Sequence, residues 1–553
     1  MDKQPGILLS SHLLIRKCVW EVSLNPLVLT WRQIPSQKNI QQLLKVGSSR
    51  IVSVPEILAV WEIDLHSGTK DDGRWQKMSQ KPTEAYPLAF TVSYVRRARK
   101  HRWRCCDVTF LCPDWALCQL WVQTIKEQLA EQTNRPKHLL VYINPYGGKQ
   151  QGRRIYEQKV APLFARASVS TDVIVTEYAN HARDHLTTVA ELKLYDGVVC
   201  VGGDGMFSEI VHGLVSRTQK DNDVDQNSPE EKLVACTLRI GIIPAGSTDC
   251  ICYATVGIND PVTSTLHIII GDSQPMDVCS VHHNNTFLKY SLSLLGYGFY
   301  GDVLADSERK LWMGPVRYDF SGFKTFLTHH YYEGTVSFQQ ATDTLGTPRD
   351  KTPCRAGCLT CLHNRRQCSK NSPDKSTADP DFTDGEYEEG WRVIRGKFLA
   401  INAASMSCAC PRSPQGLSPA AHLADGTTDL ILVRKCSRFN FLRHLIRHTN
   451  KDDQFDMTFV EVHRVRRFRF VPRHCQSDSE RELRGNGKRT FGQICRDHPA
   501  CGCSPAYSSW NCDGEILPHA AIEVGVHCQL IKLFARGIEE TPVFEELPAP
   551  CVK

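Results

Sequence analysis

The stretch YDGVVCVGGDGMFSEIVHGL, residues 195–214, changes rhythm halfway along. An apolar run, Val198 to Val201, leads into Gly202-Gly203-Asp204-Gly205, and the helix-like MFSEIVHGLVSRT follows. An apolar run bounded by turn residues suits a buried strand, and the segment after it has helical composition. A glycine turn at that junction lets the backbone approach a phosphate, and the helix behind it offers free N–H groups and a positive dipole end. Gly202, Gly203, Asp204 and Gly205 are therefore candidate substrate-binding residues. Asp204 is the group at the turn placed to take a proton or hold a metal. A plain strand–helix turn would read the same way in isolation.

Two more turns lie on either side. LLVYIN ends in Asn144-Pro145-Tyr146-Gly147-Gly148-Lys149, and RIGII ends in Pro244-Ala245-Gly246-Ser247-Thr248-Asp249. Between them strands such as DVIVTE alternate with helices around RRIYEQKVAPLF and NHARDHLTTVAEL, which predicts a parallel α/β sheet over 137–285. Turns at the C-terminal ends of parallel strands form the ligand edge of such sheets. Neither GxxxxGK[ST] nor GxGxxG occurs, so a standard nucleotide fingerprint is absent. The polar insert at 216–232 reads as a surface loop.

Residues 1–132 carry short β-branched and aromatic runs at 18–24, 56–65, 86–95 and 107–112, then an amphipathic helix. In that helix Leu117, Leu120, Trp121, Ile125 and Leu129 recur at helical spacing. A small antiparallel sheet closed by a helix follows from this pattern. From 286 to 535 strands predominate. An acidic stretch near 370–390, with seven acids and one Lys in 374–389, reads as a disordered linker, and 536–553 as a tail.

Over 553 residues the formal net charge is only +6, which argues against a dedicated nucleic-acid binder. A mean hydropathy of −0.32, and no apolar run near the roughly 18 residues that span a bilayer, argue against an integral membrane protein. The N-terminal residues lack a signal-peptide pattern, so the 24 cysteines are expected as reduced thiols or metal ligands in a cytosolic chain.

NPYGGK, VGGDGMFSEIVHGL and PAGSTD, in this order and spacing, resemble the diacylglycerol-kinase-type catalytic domain of lipid kinases, over roughly 137–535. The 1–132 module resembles a pleckstrin-homology domain. With Met206 where diacylglycerol kinases usually carry Thr, the chain is most similar to the ceramide kinases within that family. The resemblance implies an α/β nucleotide-binding domain and a β-sandwich lipid-binding domain. It also implies phosphorylation of a lipid hydroxyl, here ceramide's, by ATP with Mg²⁺. Asp204 would be the base, and Asn144, Pro145, Tyr146, Gly147, Gly148, Gly246 and Ser247 would line the phosphates. Thr176, Glu209, Arg317 and the late Asp513-Gly514-Glu515 would complete the nucleotide site. Leu304 stands where sphingosine kinases place an Asp for the amine, and Leu311 where they place an Arg. Sphingosine and diacylglycerol kinases, and a catalytically dead lipid-binding adaptor, are the competing readings. Association with Golgi and plasma membranes, and Ca²⁺ as a regulator, are implied by the resemblance alone.

Cys354-x₃-Cys358-x₂-Cys361, with Cys368 beyond, has spacing that Zn²⁺ could use, or it is a set of free thiols. The triplet matches the ceramide kinases. A second group comprises Cys495, Cys501, Cys503 and Cys512. Arg96, Arg97, Arg99, Lys100, Arg102 and Arg104 fall within nine residues, a pattern suited to a phosphoinositide-containing membrane. Arg464 to Arg469 reads instead as a half-exposed strand. In 432–452, Phe439, Leu442, Leu445 and Ile446 share a face beside Arg438, Arg443 and Arg447, which suits calmodulin or packing on the chain's own core.

Overall fold

The computed structural model describes residues 6–16, 18–34, 49–63, 88–314, 316–342, 344–368, 386–388, 390–450, 452–473 and 507–540. The chain divides into two compact units.

The first unit comprises 1–139, 154–172 and 260–272. Its strands β1 (Leu9–Ile15), β2 (Cys18–Leu24), β3 (Val28–Gln33), β4 (Ser49–Ser53), β5 (Ile57–Ile63), β6 (Leu88–Arg97) and β7 (Trp103–Cys112) form one antiparallel sheet. Its order is β4-β3-β2-β1-β7-β6-β5. Helix α1 (Trp115–Ala130) starts where the Asp114 carboxylate accepts the Leu117 N–H at 2.8 Å, an N-cap. The helix buries Trp121, whose ring stacks on Phe90 with centroids 6.0 Å apart. Its buried face also holds Cys118, Val122 and Ile125, whereas Leu120, expected on that face, is exposed. The helical period carries Cys118 and Val122 inward and turns Leu120 outward.

This compact unit also takes in segments from beyond residue 139. Helix α2 (Gly152–Ile155) runs through a π-turn into α3 (Ala161–Arg166), and α3 belongs here, as does α7 (Pro261–Ile270). The cause is visible at Trp103. Its amide donates to Thr263 Oγ1 at 3.0 Å, and its indole stacks on His267 at 3.7 Å.

The second unit comprises 140–153, 173–259 and 273–553. Strands β8 (His138–Ile143), β9 (Ser170–Val175), β10 (Gly197–Gly202) and β11 (Arg239–Pro244) lie in the order β11-β10-β8-β9, with β10 and β11 parallel. Helix α4 (His181–Thr188) links β9 to β10, α5 (Asp204–Asp221) links β10 to β11, and α6 (Cys250–Val256) follows β11. Val198, Cys200, Phe207, Ile210 and Leu214 form the heart of the core between strand and helix. Helix α5 extends through 216–221, where a loop was expected. Arg217 pairs with Asp221 one turn on, and buried Gln219 exchanges hydrogen bonds with Val234.

The remaining strands pair antiparallel with one another: β12 (Ser273–His283), β13 (Thr286–Ser291), β14 (Leu294–Gly298), β15 (Tyr332–Gln340), β16 (Glu386–Glu388), β17 (Trp391–Ala404), β18 (Thr428–Arg434), β19 (Val460–Pro472), β20 (Asn511–Cys512), β21 (Glu515–Ile516) and β22 (Ile522–Phe534). Their core gathers Tyr297, Phe338, Phe398, Phe468, Phe470 and Trp510. Strand β22 is the joint: it pairs parallel to β11 and antiparallel to β12 and β19. Strand β12, expected with the α/β region, therefore belongs to the antiparallel one. Helices α8 (Phe299–Glu308), α9 (Val316–Thr328), α10 (Leu359–Cys368) and α11 (Arg438–Arg447) decorate this half. The acidic stretch lies largely outside the described residues. Its end, Glu386–Glu388, is strand β16 on β17 rather than linker, because Gly390, at φ +83°, closes a tight hairpin. The segment assigned to the tail begins bound: Ala356 N donates to Ile538 O at 3.0 Å. No helix among the described residues is long and apolar enough to cross a membrane.

Candidate active site

Three turns at the C-terminal ends of β8, β10 and β11 pack glycine against glycine. A Cβ on Gly148 would lie 2.6 Å from Ala245 O, and one on Gly246 would lie 2.6 Å from Gly203 Cα. Gly148 also has φ +57°, so a side chain is excluded both by space and by backbone conformation. Around this junction Gly205, Ser247 and Thr248 are exposed. The Asn144 carboxamide accepts the amides of Tyr146 at 2.8 Å and Gly147 at 3.0 Å. Asn144 thus shapes its turn, with Pro145 inside it and Tyr146 exposed.

Asp204 is the first residue of α5. Its two carboxylate oxygens accept the backbone N–H groups of Cys250 and Ile251, each at 3.0 Å, from the first turn of α6. Burial raises its pKa, Asp513's charge adds to that, and the two amides oppose both. Asp249 has φ +52° and is buried. Its Oδ1 accepts Gly246 N–H at 2.9 Å, and burial together with the Asp204 charge pushes its pKa up to about 7. Two carboxylates thus converge where three turns meet, one fixed by helix amides and the other held poorly ionised. The Asp249 signal was present in PAGSTDC, but a neighbouring Asp204 can be seen only in three dimensions.

The other expected residues divide into contacts and supports. Thr176 is buried, with its hydroxyl donating to Ile143 O at 3.3 Å. Glu209, one turn along α5, is half-buried, which raises its pKa, while the Asn180 amide and Arg183 lower it. Asp513 accepts four hydrogen bonds, from the amides of Leu292, Ser293 and Leu294 and from Ser293 Oγ, at 2.6–2.9 Å. It braces the start of β14, and its charge reaches Asp204. Gly514, at φ +93°, makes the turn, and Glu515 pairs with Lys289. Arg317 sits on α9, where its guanidinium donates to the Tyr318 hydroxyl at 2.8 Å and lies over that ring. Leu311 is exposed and Leu304 buried. Asp302, to which sequence reasoning gave no role, is held in the interior by Ser508 Oγ at 2.6 Å and Tyr332 OH at 2.7 Å.

Away from the turns, Cys354, Cys358 and Cys361 do meet, and His422 joins them. Cys495, Cys501 and Cys503 lie outside the described residues, while Cys512 is buried in β20. On the β6–β7 hairpin Arg96, Arg99, Lys100, Arg102 and Arg104 are exposed. Arg97 departs from the expected basic surface: it pairs with Glu56 and lies over Trp103, because β5 and its preceding turn bring the acid alongside. Arg464 is likewise not half-exposed, being buried against Asp429 at 2.9 Å. On α11, Phe441 and His444 face the interior, leaving Phe439, Leu442 and Ile446 outside. A longer apolar face opens along α9 and the turn before it, with Trp312 83% and Phe323 63% exposed beside Leu311, Val316, Phe320 and Leu327. Contiguous exposed apolar area of this kind marks an interaction surface.

Comparison with known proteins gives the following matches. The ceramide kinase PH domain model matches residues 9–125, the diacylglycerol kinase catalytic domain model 138–281, and the ceramide kinase C-terminal domain model 294–546. Ceramide kinase of Homo sapiens is 60% identical over 491 residues, 89% of each chain. That of Mus musculus is 58% identical over 494 residues, 89% of this chain and 91% of the mouse protein. A crystal structure of a diacylglycerol kinase from Bacillus anthracis aligns with 72% of this chain and 97% of its own, at 13% identity and a TM-score of 0.44. Three family models in series, together with identity of this order along nearly the whole length, place the chain in the ceramide kinase family.

Proposed function

We propose that the chain transfers the γ-phosphate of ATP to the primary hydroxyl of ceramide, giving ceramide 1-phosphate. The observation that carries this reading is Asp204, a carboxylate fixed by two helix amides where three glycine turns meet, in a member of this family. As the hydroxyl oxygen attacks the γ-phosphorus, its proton passes to Asp204. The bond to the β–γ bridging oxygen breaks, and ADP leaves with the electron pair. Burial raises the basicity of Asp204, while the Cys250 and Ile251 amides keep its oxygens aimed. The backbone amides of the exposed turn residues Gly205, Ser247 and Thr248 would supply fixed donors for phosphate oxygens. Mg²⁺, when bound, neutralises phosphate charge. Asp204 and Asp249 would hold it: both are hard oxygen donors, and its positive charge would favour the ionised form of Asp249, whose pKa burial and the Asp204 charge push up to about 7.

Leu304 offers no carboxylate for an amine, which favours an N-acylated acceptor over sphingosine. The apolar face of α9 suits a lipid acceptor presented at a surface, and Arg96, Arg99, Lys100, Arg102 and Arg104 suit peripheral recruitment to phosphoinositide membranes, with the Golgi and plasma membrane implied by the family resemblance alone. The exposed Phe439, Leu442 and Ile446, beside Arg443 and Arg447, suit Ca²⁺–calmodulin. The decisive test offers ceramide, sphingosine and diacylglycerol in parallel micelles with labelled ATP and Mg²⁺, to wild type and Asp204→Asn. Label in ceramide with wild type alone supports the reading. Label in another lipid refutes the substrate, and no label in any lipid leaves a binding protein without kinase activity. Liposome pelleting with and without phosphoinositide, and calmodulin capture of the full chain with and without Ca²⁺, test the two surfaces.

A further inference from the structure

We propose that Cys354, Cys358, Cys361 and His422 form a closed, structural zinc site that ties the β15–β17 connection to the β17–β18 loop. One ligand atom from each lies within 4.8 Å of every other. Zinc with sulfur ligands at about 2.3 Å in a tetrahedron separates the sulfurs by about 3.8 Å, and a nitrogen at about 2.0 Å lies about 3.5 Å from each sulfur. Cys354 Sγ and Cys361 Sγ are 3.8 Å apart, and Cys358 Sγ is 3.3 Å from His422 Nδ1. A disulfide would need sulfurs at about 2.05 Å, so the two sulfurs are not bonded to each other and stand at the separation that two ligands of one ion would have.

Local structure explains how the four converge. A turn in which Cys358 N–H reaches Arg355 O brings Cys354 back beside the start of α10. Cys358 and Cys361 then stand three residues apart on one side of that helix start. His422 arrives from the long loop after β17 and is only 2% exposed. Its Nε2 has no hydrogen-bond partner among the described residues, while its Nδ1 faces the Cys358 thiol. A second layer of contacts holds both segments. Gln529, from β22, donates to Cys361 O at 3.5 Å and to Ala424 O at 3.2 Å. Asp277, from β12, accepts the amides of Gln529 and Gly426 at 2.6 Å each and donates its own N–H to Leu423 O. Three sulfurs and one nitrogen select zinc over oxygen-seeking cations, and four protein ligands leave no open position for a reacting molecule. No catalytic role follows.

The test is metal analysis of the full chain purified without chelator. Wild type should carry about one zinc per chain, and His422→Ala should lose zinc affinity by more than the roughly 10–100-fold that removing an outer partner costs. His422→Cys should restore binding. Cobalt-substituted wild type, which needs no variant to fold, should show tetrahedral d–d bands with thiolate charge transfer. Absence of zinc from wild type even after incubation with Zn²⁺ overturns the proposal. So does a Cys354–Cys361 disulfide in freshly isolated protein, and so does an unchanged cobalt spectrum in His422→Ala.

Discussion

Asp204 and Asp249 come from different turns, and their closeness makes proton uptake at one depend on charge at the other. In the folded chain Asp249 keeps its proton to about 7, where an unfolded chain would have released it near the ordinary carboxylate value. The protonated form therefore contributes stability that is present at acid pH and lost as pH rises toward 7. Without Mg²⁺, Asp249→Asn should raise the unfolding midpoint at about pH 8 and leave it unchanged near pH 4. Asp204→Asn should reduce kcat by about 10²–10⁴-fold or more while ATP still binds, as single-turnover kinetics would resolve. At Gly148 no smaller change than Gly→Ala exists. The added methyl meets Ala245 O in a left-handed backbone, so ATP affinity should fall about tenfold or more by equilibrium binding, with a stability loss of about 1–3 kcal/mol.

Among elements, the short β20–β21 hairpin matters through one side chain. Asp513 gathers three amides and a hydroxyl from 292–294, so Asp513→Ala leaves that bend without its acceptor. Its removal should lower the stability of the β-rich half by about 3 kcal/mol, read from the denaturant midpoint of that transition. Serine in its place should rescue little, since one hydroxyl cannot accept four bonds. This role was not legible in the Asp-Gly-Glu tripeptide, where the carboxylate reads as a ligand contact. The three glycine turns, by contrast, were legible, because glycine at a strand end has few other uses and each turn carries its own spacing. Asn144 falls between the two cases: its position was evident, but its service to the Tyr146 and Gly147 amides depends on a rotamer. His422 gave no signal, since a ligand 61 residues after Cys361 leaves no spacing to recognise.

At the scale of the whole molecule, periodicity placed the antiparallel module, the α/β alternation and the strand-rich half, because each repeats its own burial pattern. It does not show how the compact units are threaded along the chain. The units are discontinuous in sequence, and α7 is claimed by Trp103 some 160 residues away. Strand β12 similarly follows β22, a partner nearly at the other end of the described chain. Long-range pairing of this kind leaves no local trace.

The apolar face around Trp312 and Phe323 has a kinetic consequence. An enzyme that meets its acceptor through such a face works in two dimensions, and its rate follows the acceptor's mole fraction in the interface rather than its bulk concentration. Diluting ceramide with inert detergent at constant bulk ceramide should therefore slow wild type. In Phe323→Asp the apparent interfacial KM should rise several-fold, while ATP hydrolysis in the absence of lipid is unaltered. A rate indifferent to surface dilution would mean that the acceptor is drawn from solution one molecule at a time.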